Sequence, residues 1–180
     1  MLIFHTADWH LGNIFHRHDR MAEHRHFFNW LIAQLKERKP DVLIISGDVF
    51  DNANPSASAE HLFYEVLKEA TQAVEGLQVV IIAGNHDSAH RLEAPSPFLK
   101  AENIYVRGYV KRTEAGAPDF EDLLLPLSSR ENPEAQLVCL ALPFLRSGDY
   151  PSGLSVGEGI KYYVEGMLKA LHRTDFKKLP

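Results

Sequence analysis

The chain has 180 residues, 45% hydrophobic and 24% charged, with a net charge of −5 at pH 7 when histidines are neutral. That suffices for one soluble domain with a sizeable core, and no stretch approaches the roughly 18 consecutive apolar residues that a membrane span needs. The acidic balance excludes steering to nucleic acid by overall charge, so such a partner would have to be held by metals and a local basic patch. The single cysteine, Cys139, lies in the apolar run 137–142 and reads as a core thiol, with no internal disulfide possible. The N-terminus runs straight into a strand pattern without a signal peptide, and a reducing cytoplasm is the expected compartment.

Taken in chain order, residues 2–7 read as a buried strand closed by Asp8-Trp9-His10. After the loop 11–20, Asp19 is expected to cap a helix running to Lys39, with Met21, His24, Phe27, Phe28, Leu31, Ile32 and Leu35 on one stripe. Pro40 ends it. Residues 42–46 form a second strand, closed by Gly47-Asp48. Ser56 is expected to cap a second helix to Val74, its apolar face made by Ala59, Leu62, Phe63, Val66, Leu67, Ala70 and Ala73, with Gly76 closing it. A third strand at 79–83 ends in Gly84-Asn85-His86-Asp87. Strand, helix, strand, helix, strand predicts an α/β fold on a parallel sheet.

Beyond the third string, Pro95 and Pro97 break residues 89–100 into short helical pieces. Residues 104–106 and 137–142 read as further strands, and the polar stretch 107–130 between them as a hairpin or excursion. A last helix is expected over 156–171, and nothing marks a second domain.

In an open α/β sheet, ligands bind at the carboxyl ends of the strands. The three strings would therefore meet at one rim and bring Asp8, His10, Asp48, Asn85 and His86 together. That donor set suits a pair of divalent ions and phosphate-ester chemistry. Asp8 and His10, two apart on an extended backbone, would point the same way and share one ion. Asp48 follows a glycine that permits a sharp turn, and its two oxygens could bridge ions about 3.5–4 Å apart. Asn85 offers a neutral carbonyl oxygen. His86 would face the scissile phosphate to stabilise charge or protonate the leaving oxygen. Asp51 could accept a hydrogen bond from His86 and fix its tautomer, although it also reads as an Asx-turn residue in Asp-Asn-Ala-Asn-Pro.

Singly, an Asp after a strand is usually a cap, and an Asn-His pair usually does nothing. Three such strings at successive strand ends are hard to produce by accident. His5 should point away from Asp8 and be structural. His16, His18, His24 and His26 read as surface or helix-packing residues rather than a metal site. His16, Arg17, His18 and Arg20 would form a basic lip beside the metals, suited to a phosphate backbone.

Asp-x-His, Gly-Asp and Gly-Asn-His-Asp in this order resemble the signature of the calcineurin-like metallophosphoesterases. The longer strings narrow the likeness: His5-Thr6-Ala7-Asp8-Trp9-His10-Leu11-Gly12, Ser46-Gly47-Asp48-Val49-Phe50-Asp51, Ala83-Gly84-Asn85-His86-Asp87-Ser88 and Leu142-Pro143-Phe144-Leu145-Arg146. With these the chain is similar to the nuclease subunits of bacterial SbcCD-type complexes. The resemblance implies a layered α/β core with mixed sheets. It also implies a manganese-dependent exonuclease on duplex ends and endonuclease on hairpins or single strands, acting in DNA repair and recombination. Asp8 and His10 would hold the first ion, Asp48 would bridge, Asn85 would hold the second, and His86 would be the catalytic histidine. The implied partners are DNA, an SbcC-type coiled-coil ATPase, and a second copy docked through helix 56–74 and the segment after residue 88.

The family pattern also holds a later strand histidine and a Gly-His-x-His string, which this sequence lacks. His172 sits at a helix end and does not replace them. The expectation is an N-terminal part of a metallophosphoesterase domain, truncated before the last metal-binding strands, without capping domain or ATPase-docking segment, and with weak metal binding and poor activity. A phosphatase or nucleotide phosphodiesterase is one alternative. Against the phosphatase, no Arg-Gly follows the Gly-Asp string, and the third string ends in Asp rather than Glu. A non-catalytic dimerisation or DNA-docking module is the other.

Overall fold

A computed structural model describes residues 1–180. Its elements are β1 (Ile3–Thr6), β2 (Ile14–Phe15), β3 (His18–Asp19), α1 (Met21–Arg38), β4 (Val42–Ser46), α2 (Ala57–Ala73) and β5 (Gln78–Ile82), followed by the short helices α3 (Ala89–Glu93) and α4 (Ser96–Leu99). A 3-10 turn over Lys100–Glu102 leads into β6 (Ile104–Arg107), and then come β7 (Leu124–Ser128), β8 (Ala135–Leu140) and α5 (Val156–Leu171). No helix is long and apolar enough to cross a membrane.

Four strands form one parallel sheet in the order β1-β4-β5-β6. Because side chains alternate along a strand, β4 and β5 present two apolar faces. Leu43, Ile45, Val79 and Ile81 meet Phe28, Leu31 and Leu35 of α1 and Leu62, Phe63, Val66 and Leu67 of α2. Val42 and Val80 face the other way, under Leu125, Leu127 and Ala141 of the β7–β8 layer. A residue such as Leu35, with no exposed surface, contributes about 1.5–3 kcal/mol by burial. A separate apolar cluster joins Tyr163 and Met167 of α5 to Leu123, Leu124 and Val138.

Most expected elements form, with four differences. β1 is not buried: it is an edge strand, with Phe4 against the core and Ile3 and His5 outward. Asp19 does not cap α1. Its carboxylate accepts from the Met21 N–H at 2.8 Å, but it belongs to β3, and Arg20 occupies the cap position without a side-chain bond. The stretch 107–130 contains β7, which pairs antiparallel with β8. Pro126 is tolerated there because β7 has only one hydrogen-bonded neighbour. The later strand runs Ala135–Leu140 rather than 137–142, Leu142 lying past its end. By contrast Ser56 caps α2 as expected, accepting from the Ala59 N–H at 3.2 Å, and Ser155 and Glu158 form a reciprocal capping box on α5.

Candidate metal centre

The parallel pairing of β1 with β4 continues past both strands, and this brings the first two strings together. The Asp8 N–H donates to the Gly47 carbonyl at 3.1 Å, His10 N–H to Asp48 at 2.9 Å and Leu11 N–H to Val49 at 2.9 Å. Gly47 turns at φ +84 and lies against Gly84, where a Cβ would come within 3.0 Å of the Gly84 Cα. Gly84 is required more strictly, because a Cβ there would overlap both Asp48 Oδ1 and the Asp48 backbone nitrogen.

Asp8, His10 and Asp48 all take left-handed backbone conformations, with φ of 56°, 47° and 47°. Side chains rarely adopt these angles, each costs roughly 1–3 kcal/mol, and surrounding bonds must impose them. The expected extended spacing of Asp8 and His10 is therefore interrupted by two left-handed residues. The two side chains still converge: His10 Nε2 lies 3.9 Å from Asp8 Oδ1 and 3.7 Å from Asp48 Oδ2.

Asp48 is largely buried and sits between two groups of donors. On one side, donor atoms of His10, Asp48 and His86 lie within 4.8 Å of one another, and the His10 and His86 rings meet edge-on at 4.8 Å. On the other, Asp8, Asp48 and Asn85 line a cavity of about 230 Å3, with Phe144 on its wall. Two carboxylates, one of them the shared Asp48, with two imidazoles and an amide oxygen fit hard-to-intermediate divalent cations.

Asp51 acts differently from expectation. Its backbone carbonyl, not its carboxylate, accepts from His86 Nδ1–H at 2.6 Å. That fixes the His86 tautomer and leaves Nε2 free. The Asp51 carboxylate instead accepts from Asn13 Nδ2 at 2.8 Å and lies 3.6 Å from His10 Nδ1. The exposed His86 has its pKa raised, first by the Asp51 carbonyl, with burial opposing it and the charges of Asp48, Asp51 and Asp87 adding to the rise.

The lip residues separate. His16 and Arg17 sit exposed at the tip of the β2–β3 hairpin, at φ 47° and 69°. Arg20 reaches a cavity of about 400 Å3 that also contains Asp8 and His10. It is not a free cation there, since Glu23 pairs with it at 2.6 Å and lies 3.6 Å from His18. The Arg20 hydrogen bond holds the Glu23 carboxyl below its usual range. His24 is buried on the helix stripe, and His5 bonds Ser46 Oγ at 2.9 Å on the exposed side. Cys139 is half-buried, and burial pushes its thiol pKa up, as suits an inert thiol.

The roles of two features that carry the resemblance were not readable from the sequence. Asp87, only 1% exposed, turns away from the other donors into the loop backbone. The string 142–146 clasps the third loop, with Phe144 N–H donating to the Ala83 carbonyl at 2.9 Å and Arg146 Nη2 reaching the Asp87 carbonyl at 3.4 Å. The signals were present, as the last Asp of the third string and the Leu-Pro-Phe-Leu-Arg string, but only the tertiary hydrogen bonds assign their roles.

A family model described as calcineurin-like phosphoesterase matches residues 1–154. The SbcD component of the SbcCD nuclease from Rhodobacter capsulatus is 42% identical over 173 residues, covering 95% of this chain and 42% of the relative. The proteins of the same name from Bacillus subtilis and Escherichia coli K12 are 40% and 32% identical, over 61% and 83% of this chain. The chain spans 28% and 34% of those two, so it covers less than half of each relative.

Proposed function

The chain belongs to the calcineurin-like phosphoesterases, and from that premise we propose that it carries the metal-binding part of a manganese-dependent DNA nuclease. The observation that carries this reading is Asp48, shared between the His10–His86 group and the Asp8–Asn85 cavity. Asp8, His10 and Asp48 would hold one ion, and Asp48 with Asn85 the second. Bound there, the ions supply charge stabilisation and activation of water for in-line attack on a phosphodiester.

The chain's own residues do the positioning. Asp51 faces His10 Nδ1 and leaves Nε2 toward Asp8 and Asp48, so Nε2 is the nitrogen that would hold an ion, an outer-carboxylate arrangement common at metal-ligating histidines. His86, with Nδ1–H committed to the Asp51 carbonyl, presents Nε2 to the phosphate and its leaving oxygen. His16, Arg17 and His18 would meet the phosphate backbone from the hairpin, and Arg20 would do so only by exchanging Glu23 for phosphate.

The ligands are unevenly shared, and no Gly-His-x-His string adds to them. The chain by itself therefore binds Mn2+ weakly and cleaves slowly. A longer protein would complete the domain and dock a coiled-coil ATPase of the SbcC type. Dimerisation through α2 and the segment after residue 88 is supported by two exposed aromatics there, Tyr64 and Phe98. Light scattering at high concentration tests the dimer, and a monomeric mass counts against it.

The activity is tested with Mn2+ and three substrates: end-labelled duplex DNA, a chromogenic phosphodiester and a phosphomonoester. Slow cleavage of the diesters that Asp48→Asn abolishes is expected. Preference for the monoester would replace the nuclease reading with a phosphatase.

A further inference from the structure

Asp87 is a buried carboxylate with no cation within ion-pair distance. Burying a charge costs several kcal/mol unless hydrogen bonds replace its water. Three backbone donors do so here. Oδ1 accepts from the Phe50 N–H at 2.9 Å, and Oδ2 accepts from Val49 N–H at 3.2 Å and Gly84 N–H at 2.8 Å. Val49 directly follows Asp48, and Gly84 directly precedes Asn85. The Asp87 side chain thus grips the backbone on the far side of Asp48 and on the near side of Asn85.

The return bond comes from Asp48, whose Oδ1 accepts from the His86 N–H at 3.0 Å. Each loop therefore lends a carboxylate to the backbone of the other. The two carboxylates differ in what they face: Asp48 reaches the donor cluster, whereas Asp87 is almost fully enclosed. The arrangement also explains how Asp48 keeps its left-handed backbone, since the residue after it is tied to Asp87 and its own carbonyl to His10.

We propose that Asp87 is the positioning residue of this centre: it touches no ion or substrate, and it sets the separation of Asp48 from Asn85 and His86 on which divalent-ion affinity depends. One arm of the test rests on the metal reading above and the other does not.

The variants are Asp87→Asn, which keeps the shape but turns an amide N–H2 toward backbone donors, and Asp87→Glu, which keeps the charge and lengthens the strap by one methylene. Glu carries the test if the Asn protein fails to fold. Amide exchange is measured without metal, well below the melting temperature. Mn2+ binding is then measured by electron paramagnetic resonance on protein that unfolding curves show to be folded.

The expected result is loss of protection at Val49, Phe50 and Gly84 that spreads to His86, whose amide makes no bond to residue 87. Mn2+ affinity is expected to fall about 10- to 100-fold, the range seen when groups behind metal ligands are removed. Protection lost only at the three direct partners, or an unchanged Mn2+ affinity in the folded variants, overturns the proposal. If the parent chain itself binds no Mn2+, the metal reading fails, and the spread of exchange to His86 alone decides the role of Asp87.

Discussion

The rim at the ends of β1, β4 and β5 and the layer made by β7, β8 and α5 are held together by different physics. The rim is anchored in the main core by Trp9, Leu11, Val49 and Phe50, but its donor side chains are placed by something else. Its loops are fixed by backbone hydrogen bonds, two crossed carboxylates and glycine contacts that leave no room for a methyl group. The outer layer is fixed by side-chain burial, through Leu127 against the sheet and Tyr163 of α5 against Leu123, Leu124 and Val138, Leu127 and Tyr163 both without exposed surface. The difference is one of tolerance. Apolar packing absorbs volume-conserving exchanges, whereas a directional polar lattice fails when one donor moves. Ion geometry therefore rests on the polar lattice of the rim, and the order of the layer on side-chain burial.

Breaking that comparison should show two separable losses. The largest expected effect on stability is Leu127→Ala, about 2–5 kcal/mol by denaturant unfolding, with Mn2+ affinity of the remaining folded protein unchanged. Gly84→Ala is expected to cost less, about 1–3 kcal/mol, yet to abolish Mn2+ binding, because the new methyl group would overlap Asp48 Oδ1 and the Asp48 backbone nitrogen and displace the carboxylate. Ser155→Ala, which removes the α5 capping box, should cost about 1 kcal/mol and leave the rim untouched. A Gly84 variant that binds normally, or a Leu127 variant that does not, would collapse the distinction.

The smallest effect lies at the other end of the sheet from the rim, where the residue before β4 meets the β7–β8 connection. Asp41 accepts from Leu2 N–H at 2.7 Å and Arg130 N–H at 3.0 Å, and Arg130 Nε lies 3.4 Å away. Burial alone would raise its pKa, but those donors and the Arg130 charge hold it below the ordinary 3.8. A carboxylate depressed on folding contributes stability that is complete above the unfolded pKa and lost as pH falls through the folded one. Stability should therefore decline below about pH 4, and Asp41→Asn should flatten that decline in acid unfolding curves.

The strand-end donors were legible because the motif is local: an apolar run ending in ligand-type residues places Asp8, His10, Asp48 and Asn85 at one rim. The helices were legible from their stripes. The left-handed backbone at Asp8 and His10 was not, since no glycine marks it and only the pairing of β1 with β4 past its end imposes it. β1 looked buried from composition, and its edge position is a property of strand order. β7 was hidden by Pro126, which an unpaired edge accepts. Asp87 was read past because its residue type matched its neighbours, and only hydrogen-bond direction separates an inward strap from an outward ligand.

The central claim, that one shared carboxylate organises two ion positions, is tested most directly by titrating Mn2+ into the parent chain and Asp48→Asn by calorimetry. The account predicts weak binding in the parent and none in the variant, whose backbone fold stays intact by circular dichroism. Binding that survives Asp48→Asn, or two tight sites on the parent chain, would contradict it.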